Sequence, residues 1–232
     1  MKLTLACPMG LTSGTGRIAT IDDPLRCAIL ISGSGSGMEA MLEHQSRADC
    51  FHTTELVISN KSGVLGIERA EKYSVPTYVI EVPSGENKLQ NRLDHELSIE
   101  QKLLEYNIEL VILSGYMRLL SADFVARWEQ KIVNIHPSLL PDFPGAHAHR
   151  DVIAAGVDIS GCTVHFVDSG MDTGEIIAQC EVPVMHNDDE SSLANRIKTY
   201  EHILYPLVVD AIATGDQSSL CLLYTSPSPR DR

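Results

Sequence analysis

The run Arg26-Cys27-Ala28-Ile29-Leu30-Ile31-Ser32, followed at once by Gly33-Ser34-Gly35-Ser36-Gly37 and then by a helical pattern from Met38 to about Ala48, most narrows the folds open to this chain. A short, wholly apolar run is a strand buried on both faces, and a glycine-rich turn into a helix is the opening of a strand–helix–strand unit. Further strands are predicted at 54–59, 76–82, 110–114, 132–135, 162–167 and 175–184. Helices are predicted between them at 64–73, 89–106, 122–128 and 149–155, and a longer one at 190–214. Strands alternating with helices predict a single α/β domain over residues 25–215, with a mostly parallel, twisted sheet covered by helices on both faces. The chain is 44% hydrophobic but only 5% aromatic, so the core is expected to be built from Leu, Ile and Val.

Residues 1–24 are rich in Gly, Thr and Pro without periodicity and read as a flexible leader. Residues 216–232 read as a tail. Within it Cys221-Leu222-Leu223-Tyr224-Thr225-Ser226-Pro227-Ser228-Pro229-Arg230-Asp231 breaks the pattern of the domain. It resembles one reading frame of a transposase adapter used in sequencing libraries, so 221–232 is expected to be an artefact.

The formal net charge of −13 argues against a nucleic-acid or anionic membrane partner. It permits an anionic small molecule, because a helix N-terminus captures phosphate locally. No apolar run approaches the roughly 20 residues of a membrane span. The six cysteines, at 7, 27, 50, 162, 180 and 221, form no Cys-x-x-Cys pair. They read as reduced residues of a cytoplasmic protein, neither a zinc site nor a disulfide framework.

Two segments carry chemistry. The Gly33–Gly37 turn aims free backbone N–H groups and the positive end of a helix dipole at an anion. Met38 stands where a dinucleotide fold places Gly, and Ser59-Asn60-Lys61 supplies no acidic residue for a ribose, so phosphate is favoured over NAD. The stretch Val133-Asn134-Ile135-His136-Pro137-Ser138-Leu139-Leu140-Pro141 places a carboxamide and an imidazole two residues apart at a strand end, on one side. Asp172, in the turn-rich loop 168–174, adds a carboxylate, although taken alone it reads as a turn residue. A carboxamide for an oxyanion, an imidazole for a proton and a carboxylate to hold the imidazole charged suit acyl transfer to an amine, with no protein nucleophile.

These segments, with Ile58-Ser59-Asn60-Lys61, Leu113-Ser114-Gly115-Tyr116-Met117-Arg118-Leu119-Leu120, Gly161–Val167 and Tyr200-Glu201-His202-Ile203-Leu204-Tyr205-Pro206, occur in the order found in the glycinamide ribonucleotide formyltransferase family. From about Arg26 to Gly215 the chain resembles that folate-dependent family. The resemblance implies formyl transfer from 10-formyltetrahydrofolate to the ribonucleotide amine in purine synthesis, with no metal required and with small molecules as partners. Monomer and homodimer both remain open. It also implies that Asn134, His136 and Asp172 are the catalytic trio. Asn134 would hold the formyl oxygen, and Asp172 would raise the pKa of His136. Gly35, Ser36, Gly37 and Met38 would bind the phosphate, and Lys198 and Glu201 would face the ribonucleotide. Met117, Arg118, Leu119, Leu120, Asn134, Asp168 and Met171 would form the folate pocket. The bland readings are that Met117 and Leu120 are core and that Lys198 and Glu201 are a solvated helix face.

The chain departs from the family at Gly37, where Asn is common, and at Ala146 and Ala148, where bulkier residues are common. An arginine often found at the folate mouth has no clear equivalent around Gln90 to Arg92. The rival readings are a formyltetrahydrofolate deformylase, in which water replaces the amine, a methionyl-tRNA formyltransferase, and a non-catalytic nucleotide-binding domain.

Overall fold

The computed structural model describes residues 2–5 and 16–216. Its centre is the predicted strand, β2 (Leu25–Ile31), which leads through Gly35 into helix α1 (Ser36–Gln45). Side chains of β2 alternate between two cores. Ile29 and Ile31 join the one that holds Met38, Met41 and Leu42 of α1, whereas Ala28 and Leu30 join the other. A strand that buries both faces needs apolar residues at every position, which is why its sequence does not alternate.

Around β2 lie β3 (His52–Ser59), β4 (Thr77–Val79), β5 (Leu110–Leu113) and β6 (Ile132–His136), all parallel. Beyond β6 the sheet turns antiparallel through β7 (Ile159–Phe166), β8 (Ile176–Pro183) and β1 (Lys2–Leu5). The order across the eight-stranded sheet is β1-β8-β7-β6-β5-β2-β3-β4. β7 and β8 are antiparallel because the loop between them is too short for a helical crossover.

Helix α2 is Leu65–Lys72, and α5 is Ala148–Ala155. With α1 and the long α6 (Glu190–Thr214), they contribute Ala70, Val152, Leu193 and Ile197 to the core on one face. The opposite face is covered by α3 (Lys88–Glu105) and α4 (Ala122–Arg127), which supply Ile99, Leu103, Phe124 and Val125. The predicted strand at 76–82 is shorter than expected, because β4 is an edge strand paired only to β3.

The leader is corrected where it is described. Lys2–Leu5 adds an edge strand to β8. Ala19 is buried, and its N–H donates to Ala213 O at 2.7 Å. The Arg17 guanidinium forks onto both oxygens of Glu109, each at 2.6 Å. Turn-forming composition hid a segment that is tied down by backbone pairing and by the ion pairs of Arg17 with Glu109 and Asp23. The expectations for residues 6–15 and for the tail from 217 fall outside the described residues.

Tyr205 shows how α6 positions the functional strands. Its buried hydroxyl is directed at Val133 O (2.9 Å), within β6, and Leu113 O (3.1 Å), at the end of β5. A buried hydroxyl keeps such partners because leaving it unpaired costs roughly 1–3 kcal/mol. The result is a helix pinned directly beneath the strand that carries Asn134.

Candidate active site

Asn134 and His136 lie on β6 with Ile135 between them, and both face a cavity of about 550 Å³. The loop after β6 is braced from β7. Thr163 Oγ1 donates to Ser138 O at 2.7 Å and accepts from Leu140 N at 3.0 Å, while Gln179 holds Leu140 O at 2.8 Å. Ser138 Oγ closes the turn onto Asp142 O at 2.6 Å. This bracing directs Phe143 O at His136 Nε2, 2.9 Å away. A carbonyl only accepts, so Nε2 carries a proton.

Asp172 arrives from the β7–β8 loop with φ of 57°, in the left-handed region that non-glycine residues seldom occupy. Its Oδ2 accepts from Gly145 N at 2.8 Å and stands 3.4 Å from His136 Nδ1. Both nitrogens of the buried His136 ring therefore face oxygen acceptors, the Phe143 carbonyl and the Asp172 carboxylate.

His165 completes the constellation, and sequence reasoning did not assign it. Its Nδ1–H donates to Phe166 O at 2.8 Å, so in the neutral ring Nε2 is an acceptor; Asn134 Nδ2 donates to it at 3.2 Å. Burial, the largest influence, holds the His165 pKa below the ordinary range and favours that neutral form. The same ring lies 3.8 Å from Asp172 Oδ1. One signal was available: Asn134 and His165 are direct partners in the antiparallel register. Once β7 was placed beside β6, their side chains had to meet.

The cavity gathers most of the predicted residues. Met117, Arg118, Leu119, Leu120, Asp168 and Met171 line it together with the trio. Met117, Leu119 and Met171 are exposed apolar side chains, 70%, 62% and 53% accessible, concentrated where a ligand would cover them. Leu120 is both wall and core. Arg92 also lines the cavity, where the sequence had left the folate-mouth arginine without an equivalent. The helix α3 brings it there, and Glu96, buried one turn on, holds its guanidinium at 3.2 Å.

Gly35–Met38, Lys198 and Glu201 lie outside this lining. Gly35, at φ 66°, caps α1, and no side chain caps the first turn. Its missing Cβ faces protein: a methyl there would sit 2.7 Å from Gly66 Cα. Gly37 touches Ser114 instead, at 2.8 Å from its Oγ to the position of a Cβ, so the turn abuts the end of β5 beside the cavity. On α6, burial raises the Glu201 pKa to about 7 against the opposing pull of Lys198. On α5, burial lowers that of His149; Glu190 opposes the shift, while His136 and Lys198 reinforce it. His149 of α5 thus lies close enough to feel both His136 of β6 and Lys198 of α6.

The fold and this site define a class of α/β protein whose cavity, at the end of a parallel strand, sets a carboxamide beside an imidazole that faces a carboxylate. Comparison with known proteins makes the class specific. Residues 25–209 match the family described as "Formyl transferase". A phosphoribosylglycinamide formyltransferase of Escherichia coli (strain K12) is 35% identical over 82% of this chain and 88% of its own. The trifunctional purine biosynthetic protein adenosine-3 of Gallus gallus is 42% identical over 86% of this chain. The match spans only 19% of that longer protein. The crystal structure of phosphoribosylglycinamide formyltransferase from Anaplasma phagocytophilum superposes with a TM-score of 0.74 at 40% identity, covering 82% of this chain and 87% of that one. The chain belongs to the formyl transferase family, among the phosphoribosylglycinamide formyltransferases. Among the described residues no helix is long and apolar enough to cross a membrane.

Proposed function

We propose that the protein transfers the formyl group of 10-formyltetrahydrofolate to the amine of 5′-phosphoribosylglycinamide, a step of purine biosynthesis, in the cytoplasm. The observation that carries this reading is the convergence of Asn134, His136 and Asp172 on one cavity whose remaining wall is largely apolar. That wall suits a pterin-bearing donor. Arg92 and Arg118 suit the carboxylates of its tail.

The residues divide the work as follows. The uncapped first turn of α1, at Ser36, Gly37 and Met38, takes the phosphate. Lys198 and Glu201 face the ribose and its substituents. Attack of the amine on the formyl carbon forms a C–N bond and converts the carbonyl oxygen to an oxyanion. Asn134 has one N–H spent on His165 and a second for that oxygen. His136 reaches the oxyanion by exchanging its bond to Phe143 O, and its positive charge is held by Asp172. Asp172 then relays the amine proton, and the folate nitrogen leaves with a proton as its bond to the formyl carbon breaks. Formyl transfer conserves oxidation states, and the trio supplies each proton movement.

Purified protein with 10-formyltetrahydrofolate, followed by tetrahydrofolate absorbance, tests the assignment. Release that requires the ribonucleotide is expected. Equal release without it would mean hydrolysis and would sink the reading.

A further inference from the structure

A second cluster of chemistry-bearing side chains lies away from the cavity, and none of its members lines it. His44 ends α1, Cys50 sits in the following turn, His52 opens β3, and Asp210 lies near the end of α6. Their donor atoms, two imidazole nitrogens, a thiol sulfur and a carboxylate oxygen, all lie within 4.8 Å of one another. Asp210 is the hub. Its Oδ2 is 2.7 Å from His44 Nε2, and its Oδ1 is 3.4 Å from His52 Nε2 and 3.8 Å from Cys50 Sγ.

We propose that His44, Cys50, His52 and Asp210 form a tetrahedral site for one zinc-class divalent cation, which ties α1, β3 and α6 together. Zinc takes nitrogen at about 2.0–2.1 Å and sulfur at about 2.3 Å, so its ligand atoms stand about 3.3–3.7 Å apart. The cluster needs adjustments of a few tenths of an ångström to about one ångström to reach that spacing. A thiolate and a carboxylate neutralise the charge of a dication, which suits a site whose ligands are half-buried or buried.

A second observation points to a ligand independently. His52 is 2% accessible, and its buried Nε2 makes no hydrogen bond of ordinary geometry; the nearest acceptor, Asp210 Oδ1, stands 3.4 Å away. Buried polar nitrogens are rarely left so, and this one is aimed at the other three donors. Gln45 holds the opposite nitrogen, Nδ1, at 2.7 Å, and its own Oε1 accepts from Thr54 N at 3.1 Å. That orientation makes Nδ1 an acceptor and leaves the ring proton on Nε2. Metal binding at Nε2 shifts the ring to its other tautomer, with the proton leaving Nε2 and one returning to Nδ1 through solvent, while the Cys50 thiol proton is released. The Gln45 amide then turns over to accept from Nδ1–H, the outer-shell contact that metal-binding histidines usually make.

Sequence reasoning assigned no metal, because only His44, Cys50 and His52 are neighbours in the chain and the fourth ligand is a lone aspartate far along it. The proposal is independent of the formyl-transfer reading, since it rests on none of the catalytic residues.

The test uses the tag-free full chain, stripped with a chelator and titrated with Co²⁺ alone, then with Zn²⁺ in competition with a chromophoric chelator. One Co²⁺ per chain is expected, with visible bands of tetrahedral cobalt and a near-ultraviolet thiolate charge-transfer band that Zn²⁺ abolishes. Cys50→Ser should remove the charge-transfer band. Asp210→Asn should weaken Zn²⁺ by more than the roughly 10–100-fold that loss of an outer-shell partner costs. At 100 times Kd, Zn²⁺ should raise Tm by roughly 5–10 °C in the wild type. A wild-type spectrum without the thiolate band overturns the proposal and leaves a metal-free ion-pair network centred on Asp210. A band retained in Cys50→Ser, or equal zinc affinity in Asp210→Asn, places the metal elsewhere and overturns it too. The wild-type spectrum decides the thiolate question even where a variant folds poorly.

Discussion

His136 Nδ1 lies 3.4 Å from Asp172 Oδ2, and the same carboxylate oxygen is fixed from behind by Gly145 N at 2.8 Å. The carboxylate is therefore aimed before any ligand arrives. Asp172→Asn keeps the acceptor for Gly145 but loses the charge opposite the imidazole. It should lower kcat roughly 100-fold or more, the scale of general acid–base and oxyanion effects. His136→Ala should cost at least as much, and the double variant little more than the worse single, because the pair acts as one unit. Single-turnover rates with ribonucleotide affinity by calorimetry check this. Near wild-type turnover in Asp172→Asn, or losses that multiply, would refute the coupling.

His165 acts through Asn134. With its Nδ1–H given to Phe166 O, its Nε2 is the acceptor that orients the Asn134 amide. His165→Ala frees that amide to rotate. The expected loss is roughly 10–100-fold in kcat, below the roughly 100–1,000-fold for deleting an oxyanion donor outright, with KM for the ribonucleotide nearly unchanged. In an Asn134→Ala background the His165 substitution should have little further effect. A full additional loss there would give His165 a role of its own.

Arg92 is the cavity arginine held by Glu96 at 3.2 Å. If it meets the donor's carboxylate tail, Arg92→Ala should raise KM for the folate roughly 10-fold, about the loss of one charge-assisted hydrogen bond. kcat and ribonucleotide KM should stay within about twofold. Steady-state kinetics with both substrates varied decides it, and a matching rise in ribonucleotide KM would show that Arg92 serves something other than the folate.

How far the sequence foretold this molecule follows from the kind of signal each part leaves. The strands of the parallel half were legible because burial on both faces demands unbroken apolar runs such as Cys27–Ile31. Asn134 and His136 were legible because strand geometry puts alternate residues on one side. His165 was not, because a histidine on an apolar strand reads as core until its cross-strand partner is known. Arg17 was hidden for a similar reason: its partner, Glu109, is remote in sequence, and glycine- and threonine-rich surroundings carry no periodicity. What lies beside Gly35 was not legible, because glycine marks a tight approach without saying what approaches. Only the packing of α2 reveals that the neighbour is Gly66.

That packing changes what a Gly35 variant reports. A Cβ would stand 2.7 Å from Gly66 Cα, and φ at 66° adds the roughly 1–2 kcal/mol that an L side chain suffers in left-handed backbone. Gly35→Ala should therefore lower Tm by at least roughly 2–8 °C, before any effect on phosphate. Gly37→Ala meets only the rotatable Ser114 Oγ at 2.8 Å and should lower Tm less. Its effect should fall on ribonucleotide KM. Thermal melts of the two variants check the order, and a Gly37 variant less stable than the Gly35 variant would refute this account.

The Arg17–Glu109 pair makes the segment before β2 part of the folded unit. Both Arg17 nitrogens in the fork sit 2.6 Å from the carboxylate, which also accepts Arg26 N at 3.0 Å. The hydrogen bond from Arg17 is the largest influence holding the Glu109 pKa below the ordinary range. A carboxylate depressed in the folded state contributes stability above its unfolded pKa, about 4.3, and loses it as pH falls through the folded value. Arg17→Ala should therefore cost roughly 1 kcal/mol at pH 7, discounted for partial solvent screening. That corresponds to roughly 2–4 °C in Tm. The gap between variant and wild type should narrow as pH drops below about 4.3. Deleting residues 1–24 should cost more, because it also removes the buried Ala19 and its bond to Ala213. Urea unfolding of both proteins at pH 7 and in acid decides the matter. A gap that stays constant with pH would mean that Arg17 stabilises through its stem or its bonds to Asp23 O and Pro24 O, and not through the Glu109 carboxylate.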